Sequence, residues 1–112
     1  MTTMLIEQWV PVCAVSDLVP GSGVAALVGP EQVAIFRLDD EVFAVSNRDP
    51  FSGVNVISRG IVGTRGEVVK VASPMYKQSF DLRTGTCLDD PSNRLSVYPA
   101  RVVDGRVEVS SR

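Results

Sequence analysis

A chain of 112 residues, 45% of them hydrophobic, has the size of one domain and enough apolar side chain to build a core without metal or disulfide staples. Its 11 basic and 13 acidic residues leave a net charge of −2, which argues against nucleic acid, a partner that calls for a basic face. It has no histidine, so the commonest metal ligand and the commonest general base are both missing.

The opening stretch, Met1 to Val10, has no basic region followed by a long apolar run. No segment approaches the roughly 20 apolar residues of a membrane span. The expectation is a cytoplasmic chain. Cys13 and Cys87 should then be reduced thiols, buried as small hydrophobes.

Short runs rich in Val, Ile, Phe and Tyr, separated by turn residues, predict strands throughout. The first is Gln8 to Cys13, with Trp9 in the core or over one end of the fold. Ser16-Asp17-Leu18 suggests one helical turn. Strands follow at Val24 to Val28, Gln32 to Leu38 and, after the turn Asp39-Asp40-Glu41, at Val42 to Ser46. Alternation in the second of these is imperfect, as in a strand buried on both faces.

Asn47 to Ser58 breaks the pattern and reads as an ordered loop. Gly60 to Val62 and Glu67 to Ala72 are short strands around Gly63-Thr64-Arg65-Gly66. A second loop runs from Ser73 to Lys77. Ser79 to Asp81 and Thr86 to Leu88 predict a small hairpin around Leu82-Arg83-Thr84-Gly85, with Gly85 free to turn left-handed and Arg83 paired to Asp81. Asp89 to Arg94 is a polar loop. Leu95 to Val103 and Arg106 to Val109 close as a hairpin on Asp104-Gly105, a strong hairpin signal. Ser110-Ser111-Arg112 reads as a loose tail.

The fold class is therefore all-β: an antiparallel sandwich or partly open barrel, one domain over residues 1–112, with a small loop lobe at about residues 47–80. No catalytic constellation appears. Nucleophile–histidine pairs are impossible, and no glycine loop opens a helix to cradle phosphate. Charge is unevenly spread. From Asn47 to Lys77 the five basic residues Arg48, Arg59, Arg65, Lys70 and Lys77 face only Asp49 and Glu67, a net +3 that leaves −5 on the rest.

The order of parts, with two loops about 24 residues apart and Phe80-Asp81-Leu82-Arg83-Thr84-Gly85 after the second, resembles the Rieske domain family from about Trp9 to Val109. In that family a C-x-H loop and a C-x-x-H loop hold a [2Fe–2S] cluster through two cysteines and two histidines. The resemblance puts those four positions at Asn47, Asp49, Ser73 and Tyr76. None is a thiolate or an imidazole. The resemblance therefore implies no metal and no cofactor in this chain, and no electron carriage through it.

One branch of the family departs in the same manner, the small subunits of cytosolic NADH-dependent nitrite reductases. It is matched by Asn47-Arg48-Asp49-Pro50-Phe51-Ser52-Gly53, by Ser58 to Gly63, and by Ser73-Pro74-Met75-Tyr76-Lys77-Gln78. That resemblance implies a non-catalytic subunit supporting a large subunit that carries FAD, sirohaem and a [4Fe–4S] cluster and reduces nitrite to ammonium. Two other readings stay open: a Rieske-type ferredoxin feeding an oxygenase, and a stand-alone clusterless protein-binding module. In place of a cluster, Asn47, Asp49 and Ser73 should bond backbone amides and tie the loops, while Phe51, Met75 and Tyr76 fill the vacated volume. Arg48, Phe51, Met75 and Lys77 are the candidate contacts to a partner.

Overall fold

The computed structural model describes residues 9–110. The expectations for Gln8, Ser111 and Arg112 fall outside them. Ten strands follow in chain order: β1 (Trp9–Ala14), β2 (Gly23–Val28), β3 (Glu31–Leu38), β4 (Glu41–Ser46), β5 (Ile61–Arg65), β6 (Val68–Ala72), β7 (Ser79–Asp81), β8 (Val97–Tyr98), β9 (Ala100–Val103) and β10 (Arg106–Ser110). Two single 3-10 turns, Val15–Asp17 and Ile57–Arg59, interrupt them. Among the described residues no helix is long and apolar enough to cross a membrane.

The strands form three antiparallel sheets, ordered β1-β10-β9, β2-β3-β4-β8 and β5-β6-β7, and none closes into a barrel. The central sheet separates two cores, and its strands show why. In β3, Val33 and Ile35 face one side and Ala34 and Phe36 the other, and all four are buried. Period-2 geometry assigns these neighbours to opposite faces, so a strand apolar on both faces must be covered on both. One face meets Val107 and Val109 of β10, with Leu18. The other meets Val69 and Val71 of β6, Phe80 of β7, and Ile57, Leu82, Cys87 and Leu95. The lobe is thus more than loops: it carries its own three-stranded sheet and shares a core with the central one.

Several details differ from the sequence reading. β5 continues through Gly63 and Thr64, and the chain turns instead after Arg65, with Gly66 left-handed at φ 62°. Thr86 to Leu88 makes only single bridges, Thr86 to Arg94 and Cys87 to Phe80. The run Leu95 to Val103 is split at Pro99. Proline lacks the N–H that a ladder requires, and there the chain crosses from β4, paired by β8, to β10, paired by β9. Ser110, expected in a loose tail, is buried at the end of β10. The Asp104-Gly105 turn has φ of 50° and 76°, the double positive value that a type I′ hairpin turn demands.

Cys87 is buried, Cys13 is half-buried, and both are free thiols. Trp9 is half-buried at the start of β1, with the Arg101 guanidinium 4.0 Å from its ring centroid.

Arg83 does not pair with Asp81. Both of its terminal nitrogens donate to Glu41 at 2.7 Å. Asp81 Oδ1 is engaged by the backbone N–H groups of Arg83 at 2.8 Å and Thr84 at 3.4 Å, the habit of an aspartate at a turn. The hydrogen bond from Arg83 holds the Glu41 carboxyl below its ordinary range. A depressed folded value means that the pair's contribution is present above the unfolded pKa and fades as pH falls through the folded one. Carboxyl NMR titration should therefore find the Glu41 midpoint below that of an ordinary glutamate, and Arg83→Ala should return it to that range. Both side chains are about half exposed, so the change in stability should be small.

Candidate functional site

The first loop leaves β4 at Asn47, and that buried side chain fixes both of the loop's ends. Asn47 N–H donates to the Gln32 carbonyl at 3.0 Å and Nδ2 to Gln32 Oε1 at 3.1 Å. Its Oδ1 accepts from Ser58 N–H at 2.7 Å, and its carbonyl accepts from Ile57 N–H at 3.1 Å. One residue thus ties the loop's start and finish to β3.

Asp49 organises the interior. It is fully buried. Oδ1 accepts from Phe51 N–H at 2.8 Å and from Ser52 N–H at 3.3 Å. Its backbone closes the same turn, donating to the Val54 carbonyl at 2.9 Å and accepting from Gly53 N–H at 2.7 Å. The remaining oxygen, Oδ2, accepts from the hydroxyl of Ser73 in the second loop.

Ser73 in turn frames its own loop. Its N–H donates to the Gln78 carbonyl, its carbonyl accepts from Lys77 N–H, both at 2.9 Å, and Oγ accepts from Met75 N–H at 3.3 Å. The two loops are therefore joined by one charge-assisted bond between buried side chains, stronger than a neutral one. Beneath it the Phe51 and Phe80 rings lie 6.2 Å apart at 49°, which braces the first loop on the core.

Met75 and Tyr76 do not fill a volume between the loops. They are 42% and 60% exposed. The direct contact between Asp49 and Ser73 brings the loops together and leaves no gap for larger side chains, so both point outward. Among the candidate contacts, Arg48, Met75 and Lys77 are exposed, and Phe51 is half-buried. Lys77 has φ 62°, a left-handed conformation that a side chain with Cβ adopts at a cost.

Among the described residues several cations at this end of the molecule have no ion-pair partner, as is also true of Arg37, Lys70, Arg94 and Arg106. Elsewhere Arg83 pairs with Glu41, Arg101 with Glu108 and Arg65 with Asp89. Among the described residues no carboxylate lies within ion-pair distance of Arg48, Arg59 or Lys77. Arg59, read from sequence only as part of the basic excess, and nearby Ile61, which is 76% exposed, were not among the candidate contacts. An isoleucine opening a β-strand normally reads as core, and only the register reveals that it faces outward.

Known proteins bear directly on this lobe. A family model described as the Rieske-like [2Fe-2S] domain matches residues 8–110. The nitrite reductase (NADH) small subunit of Salmonella typhimurium is 46% identical over 106 residues, covering 93% of this chain and 98% of that protein. A crystal structure from Mycobacterium tuberculosis, named as a candidate NADH-dependent nitrite reductase small subunit, superposes with a TM-score of 0.92 at 52% identity, covering 96% of this chain and 97% of that one. A nitrite reductase [NAD(P)H] large subunit from Klebsiella oxytoca is 36% identical over 106 residues, which span 95% of this chain but only 11% of that protein.

The [2Fe–2S] group of the family does not fit the residues present. Such a cluster is held by thiolates and imidazoles. The four positions that the resemblance assigns to its ligands, Asn47, Asp49, Ser73 and Tyr76, hold an amide, a carboxylate, a hydroxyl and a phenol. Three of these, Asn47, Asp49 and Ser73, are already bonded to protein partners, and the phenol of Tyr76 belongs to an exposed side chain.

Proposed function

The chain belongs to the Rieske-like [2Fe-2S] domain family, and we propose that within it the chain serves as the small subunit of an NADH-dependent nitrite reductase. The observation that carries this reading is the near-full-length similarity to the Salmonella typhimurium small subunit. The loops agree with it: Asn47, Asp49 and Ser73 close the lobe by hydrogen bonds where a Rieske carrier would use a cluster.

The partner is the large subunit. In the Klebsiella oxytoca protein a stretch similar to nearly all of this chain lies within the large subunit itself, as expected of two parts that work together. We place the chemistry that turns nitrite into ammonium there, with the FAD, the sirohaem and the [4Fe–4S] cluster. This chain is then a single, non-catalytic domain that docks and supports, acting in the cytoplasm where NADH is at hand. Arg48, Met75 and Lys77 are its outward contacts. Phe51 supports them from behind, through its packing on Phe80.

A tagged copy purified from its native host, grown on nitrite, should bring down a large flavin- and sirohaem-containing subunit. The isolated chain should be colourless and free of iron and acid-labile sulfide. A brown chain with about two irons, recovered with an oxygenase, would replace this reading with the ferredoxin one. Recovery of unrelated proteins alone would favour a stand-alone binding module.

A further inference from the structure

Between the start of β5 and the second loop lies a surface pocket of about 240 Å³. Ile61, Gly60, Ala72 and Pro74 give it an apolar lining, and Arg59 and Lys77 complete its wall. It is smaller than the roughly 300–1,000 Å³ of a small-molecule site and suits one or two side chains of another protein. Ile61 opens β5, an outer strand of its sheet that among the described residues pairs only with β6.

Resting on the reading above, that a large reductase subunit is the partner, we propose that this pocket receives an apolar side chain of the large subunit flanked by carboxylates. Ile61 is the apolar anchor, and Arg59 and Lys77 are the charges that meet the carboxylates. Two observations select this occupant. First, Arg59 and Lys77 both border the apolar hollow, neither has a carboxylate within ion-pair distance among the described residues, and the segment 47–77 to which they belong carries a net +3 against −5 on the rest of the chain. A surface that leaves two cations unpaired around an apolar hollow is complementary to the opposite pattern. Second, Lys77 occupies φ 62°, where glycine would sit with less strain. A lysine at such a position has a use for its ammonium group beyond the shape of the loop, since backbone strain is retained where it serves a site.

The test measures binding of the intact chain and its variants to the purified large subunit, at low and at physiological ionic strength, with the melting temperature of each variant recorded. Wild type should bind. Ile61→Asp should raise Kd about 30-fold, as loss of a central anchor does, and Ile61→Ala should weaken binding by less. Both should melt close to wild type, because the side chain is exposed. Arg59→Glu should slow association, and more so at low salt. Lys77→Gly should weaken binding while melting no lower than wild type. That combination separates a contact role from a structural one. Arg106→Glu, in the sheet on the other side of the molecule, should bind as wild type does.

If wild type binds and the pocket variants bind equally well, the pocket is not the contact and the subunit reading stands. If Arg106→Glu weakens binding as much as Arg59→Glu, the effect is general charge and the pocket assignment is overturned. If wild type itself does not bind the large subunit, the subunit reading fails and the pocket assignment with it.

Discussion

Replacing Asp49 by alanine should destabilise the protein by about 2–4 kcal/mol, read as a fall in the urea midpoint at an unchanged m-value. The substitution removes one acceptor group but strands three donors: the Ser73 hydroxyl and the N–H groups of Phe51 and Ser52. Hydrogen bonds to a charged partner contribute about 1.5–3 kcal/mol, and each buried donor left without an acceptor costs about 1–3 kcal/mol. Solvent can reach some of these groups, since Phe51 and Ser52 are only half-buried, so the losses do not add in full. Asp49→Asn, which keeps the shape and one acceptor oxygen, should cost less. Ser73→Ala should cost about 1.5–3 kcal/mol, because the buried carboxylate loses its bond to the second loop.

A double-mutant cycle between Asp49 and Ser73 should give a coupling of about 1–3 kcal/mol, as residues in one network do. Near-additive losses would mean that the Phe51–Phe80 packing holds the loops together without the polar bond. The cycle also bears on function. If the Asp49–Ser73 bond positions Lys77 and Pro74, a variant that still folds should bind the large subunit more weakly.

Much of this was legible in the sequence, for reasons that can be named. Strands β3 and β4 carry unmistakable runs of β-branched and aromatic residues. Doubly buried β3 showed itself as an alternation that failed in the expected way. Asp49 and Ser73 are residue types whose short polar side chains seek nearby amides, so their bonds to Phe51, Ser52 and Met75 could be foreseen, whereas Asn47 reaches Ser58, 11 residues on, and Gln32, 15 residues back. The bond between Asp49 and Ser73 spans 24 residues, and nothing local encodes it. The same holds for Arg83, whose partner Glu41 lies 42 residues away. A local guess chose Asp81, but that carboxylate was already committed to its own turn. The break at Pro99 could have been read, because proline does not continue a ladder on both sides. The outward face of Ile61 could not, since a single residue at the start of a strand has no period from which to read its side.

Gly85→Ala should be still more damaging, at about 3–5 kcal/mol, combining a backbone and a packing penalty. Gly85 has φ 81°, where a residue with Cβ is disfavoured by about 1–2 kcal/mol. Space is the larger problem. A Cβ at this position would lie 2.0 Å from the Leu95 carbonyl oxygen and 3.0 Å from Val97 Cγ2. The obstacle is backbone, and it is held in place. Leu95 N–H donates to the Gly85 carbonyl at 2.8 Å, Gly85 N–H donates to the Asp81 carbonyl at 2.7 Å, and the Leu95 side chain is buried in the core shared by lobe and central sheet. Relieving the overlap therefore means moving the Leu95 segment out of that core, the kind of overpacking that costs about 1–3 kcal/mol or more.

Gly105→Ala supplies the comparison. Its φ is 76°, but no atom lies within 4 Å of its added Cβ, so it should lose only the conformational part, about 1–2 kcal/mol. The excess loss at Gly85 measures the close approach itself, and equal losses at the two sites would show that the approach is easily relieved. A large excess would account for the phrase Phe80 to Gly85 by its packing, with no part in holding a metal. That phrase places Phe80 against Phe51 and seats the turn against Leu95, so it holds up the loops that the Asp49–Ser73 bond joins.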